Sequence, residues 1–160
     1  NSLPSALMRL STMLPPQWAA SLLSLAPGLA HVFELPRKMM LSRDAYFSVQ
    51  QIYAGWDLFG IAIALQLLLL VMLAWRSAGE YYVFRPVLVA LLMLGLAQAV
   101  FWIFTFPANA ATHNWTMIPP DWQGLRHQWE YSHVVGAACQ FLGLCALISA
   151  LFARVRAAGR

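Results

Sequence analysis

The chain has 160 residues, is 61% hydrophobic and only 10% charged, and carries a net charge of +4. A soluble domain is about a quarter charged, so this composition excludes an ordinary water-soluble enzyme and points to a membrane protein. The basic residues form no run that would suit DNA or RNA; their excess reports topology and lipid contact instead.

Residues 1–17 contain Pro4, Pro15 and Pro16, with Leu3, Leu7, Leu10 and Leu14 at helical spacing. That pattern predicts a short interfacial helix stopped by Pro15. No basic leader runs into an apolar stretch with a small-residue cleavage pattern, so no secretory signal is expected. Residues 18–157 read as one transmembrane domain with four spans, about 18–35, 52–76, 86–106 and 132–154. A helix of roughly 20 apolar residues crosses a bilayer core. The expected fold is therefore all-α, an integral membrane four-helix up-and-down bundle.

The first span contains Pro27 and is expected to end at Pro36. Ser42 is a candidate N-cap for a helix beginning near Arg43. Val49, Ile52, Tyr53 and Trp56 make an apolar stripe that lets this helix run unbroken into the second span. Pro86 suits the first turn of the third span. PANAATHNWTMIPPDW then reads as a loop, and Asp121 as the cap of a fourth helix reaching about Arg156. Cys139 and Cys145 are too far apart along that helix to bridge and read as packing residues.

Titratable residues gather at one end. His31, Glu34, Asp44 and Asp57 flank the first connection; His113, Asp121, His127, Glu130 and His133 lie in or beside the third. The opposite side keeps Glu80 and Arg9, Arg76, Arg85, Arg154, Arg156 and Arg160, against Arg37, Lys38, Arg43 and Arg126 with the cluster. The six-to-four split places both termini in the cytoplasm, most naturally of a bacterial inner membrane.

Within the cluster, His31 and Glu34 are three apart on the first span, and His127, Glu130 and His133 are spaced by three on the fourth. This is not the zinc-protease pattern, which needs histidines four apart. Glu130 and His133 have the order used by di-iron bundles, but the third span supplies no carboxylate. One metal ion held by His31, His133, Glu130 and His127 is the expected metal set, and a haem between His31 and His133 is the other cofactor arrangement. A plainer reading pairs Arg126 with Glu130, and Arg37 or Lys38 with Glu34, as interface ion pairs. His31 lies deep enough to be inside the apolar slab, where an ionisable group is a functional candidate. Gln66, Gln98 and Gln140 read as interhelical glue. Trp18, Trp56, Trp75, Trp115, Trp122 and Trp129 read as interface markers, Trp102 and Phe101 as core, and Tyr46 and Tyr53 as rim donors or belt residues. Asn109, His113 and Asn114 lie on a loop placed to lid a pocket.

HVFELPRKM, Tyr46 with QQIYAGWD, FPANAATHNW and PPDWQGLRHQWEYSH together resemble the family of small four-span membrane proteins named for fungal anthrone oxygenases. Pro107 and Asn109 after the third span, and Trp122, Arg126, Trp129 and His133 entering the fourth, carry the resemblance. It covers most of the chain after residue 28 and implies oxidation of an apolar aromatic or quinone-like molecule that enters from lipid. The expected function is thus a membrane oxidoreductase or oxygenase, with Glu34, Asp57, Glu130 and Asn109 as catalytic candidates. Glu130 or Glu34 would take a phenolic or activated C–H proton. The alternative is a non-catalytic accessory subunit, or a metal or haem carrier, of a larger membrane complex. The expected partners are the bilayer, a hydrophobic small molecule, and a larger complex or a second copy of the chain.

Overall fold

The computed structural model describes residues 14–158. Helix α1 spans Leu14–Lys38, α2 Arg43–Gln50, α3 Phe59–Ser77, α4 Tyr81–Val100, α5 Phe106–Ala111 and α6 Trp122–Ala158. No strand occurs among the described residues. Four stretches are long and apolar enough to cross a membrane: Gln17–Lys38, Trp56–Ser77, Tyr81–Ala111 and Trp122–Ala157. The all-α expectation therefore stands, and the chain has the character of an integral membrane protein. Most of the expected interfacial helix of residues 1–17 lies outside the described residues.

Several boundaries differ from expectation for identifiable reasons. Pro15 and Pro16 do not stop a helix; they stand in the first turn of α1, where a missing N–H costs nothing. Pro36 does not end α1 either, and two further residues carry the helix to Lys38. Pro86 lies inside α4, which starts at Tyr81. The second span is not continuous with α2. Gly55, at φ 85°, breaks the path between two 3₁₀ turns, Gln51–Tyr53 and Trp56–Leu58. Only glycine takes that conformation readily. Ser42 is the N-cap of α2 in position, but its side chain makes no capping bond.

The third crossing passes from α4 into α5 through a π-helical turn, Phe101–Thr105, in which the Phe106 N–H reaches back to the Phe101 carbonyl. Pro107 follows directly and has no N–H for an α-helical bond to Ile103, so the wider turn falls beside a ladder that is already interrupted. The result carries helix through residues expected to be loop and puts Asn109 on α5.

The bundle core is made by α3, α4 and α6: Leu70, Leu73, Val87, Ala90, Leu94, Leu147 and Ala150 are all buried. Helix α1 packs on α3 and α6. Against α3 it uses a polar seam, where Ser24 Oγ donates to Gln66 Oε1 at 2.5 Å and Gln66 Nε2 donates to Ser21 Oγ at 3.1 Å. Against α6 the approach is close. A Cβ on Gly28 would stand 3.1 Å from the Ala137 Cβ. Small residues at that crossing let the helices meet backbone to backbone, and the contact lies about one turn from both His31 and His133. Ile61, Leu68, Leu92, Phe141 and Phe152 point outward, the arrangement expected of a lipid-facing surface. Trp102, expected in the core, is 59% exposed on this outer face.

Candidate functional site

Extending α1 past Pro36 decides the site. Lys38 follows Glu34 by four residues and His31 by seven, so all three lie on one stripe of the helix. That stripe faces α6, where Glu130 and His133 stand at the same level. The Lys38 Nζ is 2.9 Å from Glu130 Oε1, and the two side chains are 4% and 0% exposed. It also donates to the Tyr53 hydroxyl at 3.1 Å and contacts His31 Nδ1 at 3.4 Å. An ammonium has three N–H groups, and here three acceptors surround it. Glu34 Oε2 is 3.7 Å from Nζ, beyond hydrogen-bonding range, and is reached instead through Tyr53, whose hydroxyl donates to it.

Two tyrosines hold the carboxylates. Tyr46, fully buried on α2, donates to Glu130 Oε1 at 2.9 Å. Burial and then the Glu130 charge push the Tyr46 hydroxyl well above the usual phenol range. Burial, followed by the bond to Glu34, does the same to Tyr53. At rest both therefore serve as hydrogen-bond donors. Glu130 Oε2, in contrast, is buried and accepts no hydrogen bond within the protein.

Rings wall the cluster. His31 contacts Tyr53 (4.7 Å between centroids), Trp56 (5.6 Å), Trp129 (4.8 Å) and His133 (4.2 Å). Lys38 Nζ lies 4.8 Å from both the Tyr53 and Trp129 ring centroids. Trp56 and His133 are half-buried and form the outer edge of this group. His133 Nδ1 is 2.8 Å from the Trp129 carbonyl, which can only accept, so a proton sits on Nδ1. By the same logic the Lys38 ammonium, a pure donor, puts the His31 proton on Nε2.

A second layer orients the first. Asn109 Oδ1 accepts from the indoles of Trp129 at 2.7 Å and Trp115 at 3.1 Å. Trp115 is brought inward by three successive left-handed residues, His113, Asn114 and Trp115, at φ 47°, 54° and 65°. Such conformations are strained for non-glycine residues. Here Thr112 Oγ1 holds the Trp115 N–H at 3.1 Å, and the ring packs on Tyr46 and Phe47. The loop is thus a plug packed into the end of the bundle. Trp115 and Trp129, expected as interface markers, are 4% exposed core residues.

Of the sequence-derived candidates, the structure brings His31, Glu34, Glu130 and His133 together and sets Asn109 one layer behind. Asp57 is exposed and makes no hydrogen bond or ion pair to the cluster. His127 is exposed and stacks on Tyr131, away from Glu130's partners. Arg126 does not pair with Glu130; it donates to the Leu41 carbonyl at 3.1 Å and lies over the Tyr46 and Trp122 rings.

The arrangement does not suit the expected metal set. Among the described residues no three His, Cys, Asp or Glu side chains are gathered to hold an ion; of the groups proposed for it, Glu130 and His31 contact the Lys38 ammonium, and His127 lies apart from them. Nor do the His31 and His133 rings, in contact at 4.2 Å, leave space for a haem plane between them. Lys38, expected only as an interface partner of Glu34, stands instead at the centre of the cluster. Its signal was the 31/34/38 spacing, hidden by the assumption that Pro36 ends the helix.

Fold and site together define a four-span membrane helical protein with a buried acid–base cluster at one end of the bundle. No protein-family model, curated protein or solved structure matches the chain.

Proposed function

We propose that this protein is a membrane oxidoreductase or oxygenase for a hydrophobic aromatic hydroxyl or quinone-like molecule, with Glu130 as the base. The observation that carries this reading is Glu130 itself. One oxygen is held by Lys38 and Tyr46, while Oε2 is buried and lacks a hydrogen-bonding partner. A buried acceptor of this kind favours a donor such as a phenolic or enolic O–H. The five adjoining rings favour an aromatic guest, which would reach them from the bilayer beside half-buried Trp56 and His133. Lys38 supplies fixed positive charge next to the anion that forms when the proton leaves. In the oxygenase form, Glu130 takes an activated C–H proton and dioxygen takes the electrons. For anthrone the balance is anthrone plus O2 to anthraquinone plus water. In this reading the cluster faces outward and the termini face the cytoplasm, by the six-to-four balance of basic residues in the sequence.

Anthrone and a naphthohydroquinone are the probes. Oxygen uptake and product absorbance are followed with purified protein in mild detergent. Turnover that falls at least a hundredfold in Glu130→Gln, and survives in Asp57→Asn, supports the proposal. No turnover of either probe by a folded wild-type protein counts against it, and co-purification with a larger complex would then favour the accessory role.

A further inference from the structure

Glu130 has two protein contacts that could carry a proton away, and they end in different places. Tyr46 is a dead end: it is 0% exposed and lies against Phe47, Trp115 and the Arg126 guanidinium. The other runs outward without a gap. Glu130 Oε1 is 2.9 Å from Lys38 Nζ, Nζ is 3.1 Å from the Tyr53 hydroxyl, and that hydroxyl is bonded to Glu34. The exposures along this line rise from 0% at Glu130 to 37% at Glu34.

We infer that Lys38, Tyr53 and Glu34 form a proton relay connecting buried Glu130 to the surface at the loop end of the bundle. The step balances with no outside reagent. Tyr53 gives its hydroxyl proton to the Glu34 carboxylate, Lys38 gives an ammonium proton to the Tyr53 oxygen, and protonated Glu130 gives its proton to the neutral Lys38 amine. One proton has moved from Glu130 to Glu34, and Lys38 and Tyr53 end as they began. Run backwards, the same steps deliver a proton inward. Direct transfer from Lys38 to Glu34 is blocked by their 3.7 Å separation, which makes the Tyr53 hydroxyl the necessary link. His31, the third group on Nζ, holds the ammonium in place through Nδ1. The relay deepens the reading of Glu130 as a base but is tested with no substrate present, so failure of anthrone turnover leaves it standing.

The test is an acid jump on the full chain in detergent, following the Glu130 carboxyl band by rapid-scan infrared spectroscopy. The band is assigned as the one lost in Glu130→Gln. Tyr53→Phe keeps the ring and removes only the hydroxyl. Protonation of Glu130 is expected to slow at least tenfold in Tyr53→Phe and in Glu34→Gln, and to recover in part in Glu34→Asp. A wild-type rate in either Tyr53→Phe or Glu34→Gln overturns the relay. So does a wild-type Glu130 that never protonates over the pH range in which the fold is intact. Should Tyr53→Phe fail to fold, Glu34→Gln, changed at the exposed end, decides alone.

Discussion

Lys38 and Glu130 form an ion pair of 2.9 Å between the last residue of α1 and the inner face of α6. Removing two charges from water is costly, and the cost is recovered only when every remaining donor and acceptor is engaged. Lys38 meets that condition and Glu130 meets it at one oxygen only.

Breaking the pair from one side leaves an uncompensated charge. Lys38→Met should cost about 3–5 kcal/mol, read as loss of helical circular dichroism on heating in detergent. Lys38→Met combined with Glu130→Leu should recover most of that loss. A double variant as unstable as the single one would show that packing, and not charge, sets the cost.

Tyr46→Phe removes a hydrogen bond to a charged, fully buried oxygen and leaves the ring packing intact. A loss of about 1.5–3 kcal/mol is expected from the same melts.

Raised tyrosine pKa values make the protein sensitive to base. In the unfolded chain Tyr46 and Tyr53 ionise near about pH 10, whereas in the folded protein they ionise at higher pH. Above that unfolded value the unfolded state binds fewer protons, so stability falls as pH rises. The contribution is full below about pH 10 and is lost as pH climbs toward the folded values. Melts repeated at rising pH should show a shallower decline in Tyr46→Phe than in the wild type. Parallel declines would refute the assignment.

Asn109→Ala strands two buried indole N–H groups and should cost about 1–3 kcal/mol. Asn109→Asp keeps an acceptor oxygen and should be milder. Tryptophan emission should move to longer wavelength in the alanine variant as Trp115 and Trp129 loosen.

His127→Ala should stay within about 0.5 kcal/mol of the wild type, because the ring is exposed and outside the cluster. His133→Ala should lose more, since it opens the wall of rings beside His31. Equal effects of the two changes would contradict the placement of His127.

Fold and site were legible to different degrees. Gln66 was expected to join helices and bonds Ser21 and Ser24 across α1 and α3. His31 with Glu34, and Glu130 with His133, were expected to converge because the first and last helices of such a bundle are neighbours, and the structure places them together. Asp57 was grouped with them as the carboxylate at the same end of the second span, but it lies two residues past the left-handed Gly55 and is exposed. Lys38 was expected as an interface partner of Glu34, which it approaches at 3.7 Å, but its reach to Glu130 was not foreseen because a proline normally closes a helix. Nothing in a linear pattern says when a neighbouring helix will make continuation favourable.

Apolar runs and a scarcity of charge point by themselves to four helices long and apolar enough to cross a membrane, because unpaired backbone polar groups are too costly in hydrocarbon for any open alternative. The one-sided collection of histidines and acids likewise marks the end at which the buried ionisable cluster lies. Only the tertiary structure decides what those groups do to one another. The Gly28–Ala137 approach sets the level at which α1 meets α6, and the passage of α1 through Pro36 brings the Lys38 ammonium between the acids. Distances of a few ångströms between side chains far apart in sequence turn scattered ionisable residues into one hydrogen-bonded ion-pair cluster, and those distances exist only once the helices have packed.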